Sequence, residues 1–330
     1  MVRLIREDLY KRILEEQGIK ENISEELVRE SYEERYDLSA GQMGIWFLQQ
    51  MKPRSSVYNN PSAMKLKGKI YLEALNQAII LLSKEYETLR TGFCLDGNKP
   101  IQYIRKSIEF KICEIDCMGY GENQVRNKMN ELARKPFDLE KDILFRVYLL
   151  KVAEETHYFL INIHHIISDG WSKRILLKKL SEIYGKIIEN NMWRVCEQRT
   201  HYRDYVKWQT DWIRTNTGKQ ALQYWKMNLA ERPAALNLTP DKVREKIQSG
   251  KGKITEFSVR RKKYSKLKEL CRNYSLTPFL FLLSVMNIFL YKYTGQKDIL
   301  IGTSIAGRNN KKFEDIFGYF VNILVLRNRL

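Results

Sequence analysis

Hydrophobic positions along this chain recur with two periods. Leu72, Leu75, Ile79, Leu82 and Tyr86 follow helical spacing, and Ala63-Met-Lys-Leu-Lys-Gly68 alternates as a strand does. Phe93 to Ile104 reads as strand, turn, strand, with the turn at Asp96-Gly97-Asn98. A helix over 121–134 precedes strands at 144–151 and 157–163, whose short polar connection implies an antiparallel pair. Ser39 is placed to cap a helix carrying Ile45, Trp46 and Leu48, and Ser172 to cap one with an apolar stripe from Ile175 to Ile188.

Further helices are expected at 202–212, 220–227 and 264–273, and strands at 254–260, 299–305 and 318–326. Leu276 to Tyr291 is the most apolar segment; it follows a Thr277-Pro278 start and reads as a core helix. The mixture is α/β. Its expected organisation is a charged helical extension at 1–35, an N-terminal lobe at 36–229, a connection at 230–253 and a partial C-terminal lobe at 254–330.

Composition narrows the function classes. With 330 residues and 44 % hydrophobic side chains, the chain is a folded protein large enough for two lobes. Lys and Arg number 57 against 39 Asp and Glu, a net charge of +18 that favours anionic partners, although a uniform lysine bias accounts for it equally well. Five cysteines form no paired or zinc-like framework. Their odd count and the lack of a secretory leader point to a reducing cytoplasm. No metal site is expected.

The candidate chemistry lies in Ile163-His164-His165-Ile166-Ile167-Ser168-Asp169-Gly170-Trp171-Ser172, which ends the run Tyr158 to Ile163. Adjacent residues of a strand point to opposite faces, so the two histidines divide into one structural and one reactive. An imidazole titrating near pH ~6.5 can accept a proton at cellular pH. Asp169 can orient a histidine or bind an arginine, and Gly170 allows a tight bend. From these residues alone, an ordinary strand end followed by a turn is an equally open reading.

A longer set of motifs resembles the condensation domain of non-ribosomal peptide synthetases, within the chloramphenicol acetyltransferase-like superfamily. His164, His165, Asp169 and Gly170 match His-His-x-x-x-Asp-Gly without a gap. Ser39 to Leu48 approximates the opening motif, with Gly44 where the family has arginine. Glu85 to Phe93 retains Leu89-Arg90-Thr91 and Phe93 but carries Glu85 and Tyr86 in place of Arg-His. Arg134 to Leu139, Leu144-Phe145-Arg146, Tyr202 to Trp208, Ile301-Gly302-Thr303 with Ala306-Gly307-Arg308, and Phe317 to Asn322 resemble further motifs in family order.

The resemblance implies a two-lobed, V-shaped α+β sandwich, here with an incomplete second lobe. It implies amide-bond formation between a donor acyl or peptidyl thioester and an acceptor aminoacyl thioester. Both are presented on 4'-phosphopantetheine arms of peptidyl carrier proteins, with an adenylation domain adjacent and no cofactor bound by the domain itself. His165 is expected to be catalytic, with Gly170 steadying the oxyanion through its N–H. His164, Asp169 and Arg308 are expected to support the site, Asp169 pairing with Arg308. Ser168, Trp171, Asn322 and Arg90 are expected to line or shape the channel, Trp171 as a core residue. Trp171 and Tyr58-Asn59-Asn60-Pro61 point to an L-configured donor.

An epimerising or catalytically impaired carrier-binding relative is the alternative within the family. Nucleic-acid binding is the remote one; neither nucleic acid nor membrane is an expected partner.

Overall fold

A computed structural model describes residues 32–190, 192–195, 198–231, 233–241, 252 and 254–330. The described chain forms two compact units, 32–213 with Ala306–Val321, and Arg214–Ile305 with Asn322–Leu330. Sequence placed the divide at 230–253; here the first unit closes before residue 214 and takes back a late sixteen-residue segment.

The first unit contains β1 (Tyr32–Asp37), α1 (Ala40–Met51), β2 (Asn59–Lys67), α2 (Leu72–Glu85), β3 (Thr91–Asp96), β4 (Lys99–Arg105), β5 (Cys113–Asp116), α3 (Glu122–Ala133), β6 (Phe145–Ala153), β7 (Thr156–His164), α4 (Gly170–Ile188) and α5 (Tyr202–Arg214). One sheet has the order β1-β4-β3 and the other β2-β7-β6-β5, with β5 parallel to β6 and the remaining pairs antiparallel. Most of the expected 1–35 extension lies outside the described residues. Its end is a strand, because the alternating residues of Tyr32–Asp37 pair along β4.

β7 is an interior strand covered on both faces, which explains why its sequence is almost continuously apolar. Phe159, Ile161 and Ile163 join the core that includes Leu75, Ile79 and Leu82 of α2 and Leu176, Leu180 and Ile183 of α4. Leu160 faces the other way, into a smaller cluster with Tyr148, Leu150, Val125 and Leu132. This two-sided burial holds the end of β7 in place, and the histidines stand at that end.

The second unit contains α6 (Asn216–Asn228), α7 (Arg261–Asn273), α8 (Pro278–Thr294), β8 (Asp298–Ile305) and β9 (Asn322–Arg329), the two strands pairing antiparallel from Asp298↔Arg329 to Ile305↔Asn322. Three expectations fail here. Residues 254–260 form no strand, since they pair with nothing in the described sheets. The apolar segment expected as a core helix does form α8, but only Asn287 and Leu290 are buried on it. Phe279, Leu282, Ile288 and Phe289 are more than half exposed, because no described element of this unit covers that face. Residues 318–321 form no strand, and the late strand starts only at Asn322. No single helix among the described residues is long and apolar enough to cross a membrane.

Candidate active site

The histidine turn leaves β7 through a short 3₁₀ turn, His165–Ile167, and enters α4 at Gly170. The N-cap is Asp169, not Ser172 as the sequence suggested. The Asp169 carboxylate accepts from Ser172 N–H at 2.8 Å, so Ser172 occupies the third helical position, where its hydroxyl is free for other partners.

The two imidazoles have different surroundings. His164 is 1 % exposed, and burial, followed by the neighbouring His165, lowers its pKa to about 3. It is therefore neutral at cellular pH. Its Nδ1 accepts from Ile166 N–H at 3.2 Å, which leaves the proton on Nε2, a buried atom with no hydrogen-bond partner. The ring meets Phe137 edge-on at 5.9 Å and Tyr58 at 6.2 Å.

His165 is only half-buried. Its Nδ1 lies 2.7 Å from the Ser168 carbonyl, which can only accept, so Nδ1 carries a proton and, in the neutral ring, Nε2 carries the lone pair. No described residue hydrogen-bonds that nitrogen. Tyr319 packs edge-on against the ring at a centroid distance of 5.2 Å. A Cβ on Gly41 of α1 would come within 2.7 Å of the Tyr319 ring, so the glycine makes room for the tyrosine. Burial raises the pKa of both Tyr319 and Tyr58, which keeps the two phenols protonated near His165.

The rest of the turn is fastened from outside. Arg308 Nη2 lies 3.4 Å from Asp169 Oδ1, and the two side chains are 2 % and 4 % exposed. Arg308 also donates to Ser172 Oγ at 2.8 Å and to the carbonyls of Phe313 and Ile316 at 2.6 and 2.7 Å. Its guanidinium lies 3.9 Å from the Phe320 ring centroid. The second Asp169 oxygen accepts from Phe320 N–H at 3.1 Å. Ser172 Oγ donates to the Gly318 carbonyl and accepts from Gly318 N–H, at 2.7 and 3.0 Å. A late chain segment is thus tied to the start of α4 by one buried polar network.

Several contributors escaped sequence reasoning. Gln42 forms a capping box with Ser39 and reaches the Ile166 carbonyl at 3.2 Å, tying α1 to the turn. Tyr202 hydrogen-bonds Ser39 Oγ at 2.9 Å and donates to the Tyr319 carbonyl at 2.5 Å. Both lie inside motifs already noted; the Ser-x-x-Gln spacing was a usable signal for Gln42, but none identified Tyr202.

The remaining candidates are more dispersed. Ser168 is fully buried, with its hydroxyl 3.4 Å from the Asp169 carbonyl. Gly170 is the first residue of α4 and exposed; its N–H has no partner among the described residues, and nothing lies within 4 Å of where its Cβ would be. Trp171 is not a core residue. It is 37 % exposed, because it points off the first turn of α4, and its Nε1 donates to the Glu314 carbonyl at 2.9 Å. Arg90 donates to the backbone carbonyls of Ser83, Arg105 and Lys106. Asn322 opens β9 in the second unit and is exposed, its side-chain oxygen accepting from Ile323 N–H at 2.8 Å.

A half-buried imidazole, anchored through Nδ1 and with no described partner at Nε2, thus stands between a strand and a helix of a mixed α/β scaffold. The fold is that of the chloramphenicol acetyltransferase-like proteins, shared with condensation domains. Residues 32–330 match the condensation domain family, and the chain belongs to it. It is 34 % identical over 311 residues to a linear gramicidin synthase of Brevibacillus parabrevis, covering 93 % of this chain and 4 % of that protein. Gramicidin S synthase 2 of Aneurinibacillus migulanus is 34 % identical over 294 residues, covering 89 % of this chain and 6 % of the synthase. The chain therefore spans only a small fraction of the length of the relatives it matches.

Among solved structures, a four-domain non-ribosomal peptide synthetase bound to AMP and glycine superposes with a TM-score of 0.80 at 23 % identity, over 91 % of this chain and 22 % of that one. The X-domain from teicoplanin biosynthesis gives 0.82 at 20 % identity, over 94 % and 67 %. At these identities the likeness speaks for the fold alone.

Proposed function

We propose that this chain catalyses amide-bond formation between two thioesters held on the phosphopantetheine arms of carrier proteins, as part of non-ribosomal peptide synthesis in the cytoplasm. One observation carries the reading: His165 is held by its Nδ1–H to Ser168 while Nε2 keeps an unengaged lone pair. The acceptor amine attacks the donor's thioester carbonyl, and Nε2 orients the nitrogen and takes the proton it sheds. That attack forms the C–N bond and a tetrahedral intermediate, whose collapse restores the carbonyl and breaks the C–S bond, the departing sulfur taking up the proton. The amine needs only modest help near neutrality, so positioning matters as much as proton transfer. Gly170's open N–H, at the N-terminus of a nineteen-residue helix, steadies the oxyanion.

His164 and the Asp169–Arg308 pair hold this geometry without touching substrate. The net charge of +18 favours acidic carriers with phosphorylated arms, and an adjacent adenylation domain supplies the loaded acceptor. An L-configured donor is part of the proposal.

The test is a condensation reaction with two loaded carriers, the joined product being detected by mass spectrometry. His165→Ala is expected to lower the rate by about 10²–10⁴-fold. Product at full rate from His165→Ala overturns the assignment. Carrier binding without product in the unaltered chain favours the non-catalytic relative, and a D-configured product from an L-donor alone favours the epimerising one.

A further inference from the structure

The core-facing side of β2 changes character along its length. Leu66 and Met64 pack against the main core, and the same face continues as Ser62, Asn60 and Tyr58 towards the histidine turn. Tyr58 is the last of these, and its carbonyl accepts His165 N–H at 2.8 Å. Over the polar end lies Lys173, from the first turn of α4. Its ammonium donates to Asn60 Oδ1 at 2.7 Å and to Ser62 Oγ at 2.9 Å.

Both acceptors are neutral. No carboxylate among the described residues forms an ion pair with Lys173, and burial lowers its pKa. An ammonium carries three donors, so two are used and one remains, together with the whole charge. A neutral donor would serve Asn60 and Ser62 without the cost of withdrawing a cation from water. A lysine stem is also long enough to carry its charge out to solvent, yet this one turns inward. Asn60 lies two residues along β2 from Tyr58, about 7 Å at the usual strand rise, which is within reach of a substrate side chain held at His165.

We propose that Lys173 recognises a carboxylate on the acyl substrate that reaches His165, making it a specificity-determining residue for acidic aminoacyl or peptidyl groups. The inference rests on the condensation reading above. The carboxylate can belong to the donor or to the acceptor, and the two are separable by experiment.

Stable pantetheine amide analogues bearing Asp, Asn, Glu, Gln or Leu side chains would be titrated calorimetrically into the full chain. The same side chains would then be offered as carrier-bound thioesters, first on the donor and then on the acceptor. The acidic analogue is expected to bind about tenfold tighter than its amide counterpart, with the preference falling as salt rises. Lys173→Gln, which keeps a neutral donor for Asn60 and Ser62, is expected to bring the Asp/Asn ratio close to one, and Lys173→Arg to retain part of it. The carrier position that shows the preference in turnover identifies the source. Equal affinity for Asp and Asn analogues, or an unchanged ratio in Lys173→Gln, overturns the proposal. Absence of product with every substrate, alongside a charge preference in binding, would sink the condensation reading and leave Lys173's role standing.

Discussion

Replacing Arg308 is the sharpest test of how the histidine turn is held. Its guanidinium is almost wholly buried and serves Asp169, Ser172 Oγ and the carbonyls of Phe313 and Ile316. Burial lowers the arginine's pKa despite the opposing pull of Asp169, so desolvating the cation costs more than the pairing returns. Such a pair adds little beyond a well-packed apolar replacement, but it is expensive to break on one side. Arg308→Met strands the Asp169 carboxylate with two backbone donors and no charge partner, at a cost of about 3–5 kcal/mol.

Arg308→Lys keeps the charge but cannot reproduce the planar fork across four acceptors, and is expected to recover less than half of that. Asp169→Asn removes the carboxylate and turns an amide donor or a weaker acceptor towards Ser172 and Phe320 N–H. The double variant Asp169→Asn/Arg308→Met should be milder than the sum of the two, with a coupling of about 1–3 kcal/mol. Because the chain has two compact units, the readout should belong to the first: urea dependence of hydrogen exchange at the β6–β7 amides. Losses below about 1 kcal/mol for Arg308→Met, or strict additivity in the cycle, would refute the view that one buried network holds the turn.

Two further outcomes follow from other parts of the first unit. Burial raises the pKa of Glu87 to about 7, outweighing the opposing influence of Arg203 and Arg90. Between about pH 4.5 and 7 the folded chain then holds a proton that the unfolded chain lacks. The stability from this group is complete below the unfolded value and is lost as pH rises through about 7, on the order of 3 kcal/mol in all. His201, 3.3 Å from Glu87, has its pKa lowered by burial and contributes with the opposite slope, so the comparison needed is Glu87→Gln against the unaltered chain across about pH 5–8. Identical pH slopes for the two would contradict the assignment. Gly307 adopts φ +69°, and an added Cβ would meet the Phe320 carbonyl oxygen at 2.0 Å. Gly307→Ala is expected to cost about 2–4 kcal/mol and to loosen the Arg308 segment, read by protection of the Phe320 amide, while Gly295→Ala, also at positive φ but with open space around it, is expected to cost about 1 kcal/mol.

What sequence alone determined is mostly local and periodic. Helical spacing placed α2, and the alternation around Asp96-Gly97-Asn98 placed β3 and β4, because burial on one face leaves a readable rhythm in the residues. The apolar run before His164 signalled a buried strand, but alternation along that strand does not separate the two histidines, because β7 ends at His164 and His165 begins the 3₁₀ turn. Sequence was silent or misleading wherever the outcome depended on partners distant in the chain. Ser172 resembled a cap, but Asp169 reached the orphan amides first and freed the serine to hold Gly318. Trp171 resembled core and lies at the surface, while α8 is apolar enough for an interior yet largely uncovered in its own unit. The tautomer of His165, the orphaned Nε2 of His164 and the inward turn of Lys173 all depend on which atoms come within about 3 Å of one another. Tertiary packing alone decides that, because hydrogen bonds and buried charges are settled by distance and desolvation, neither of which leaves a period in the sequence.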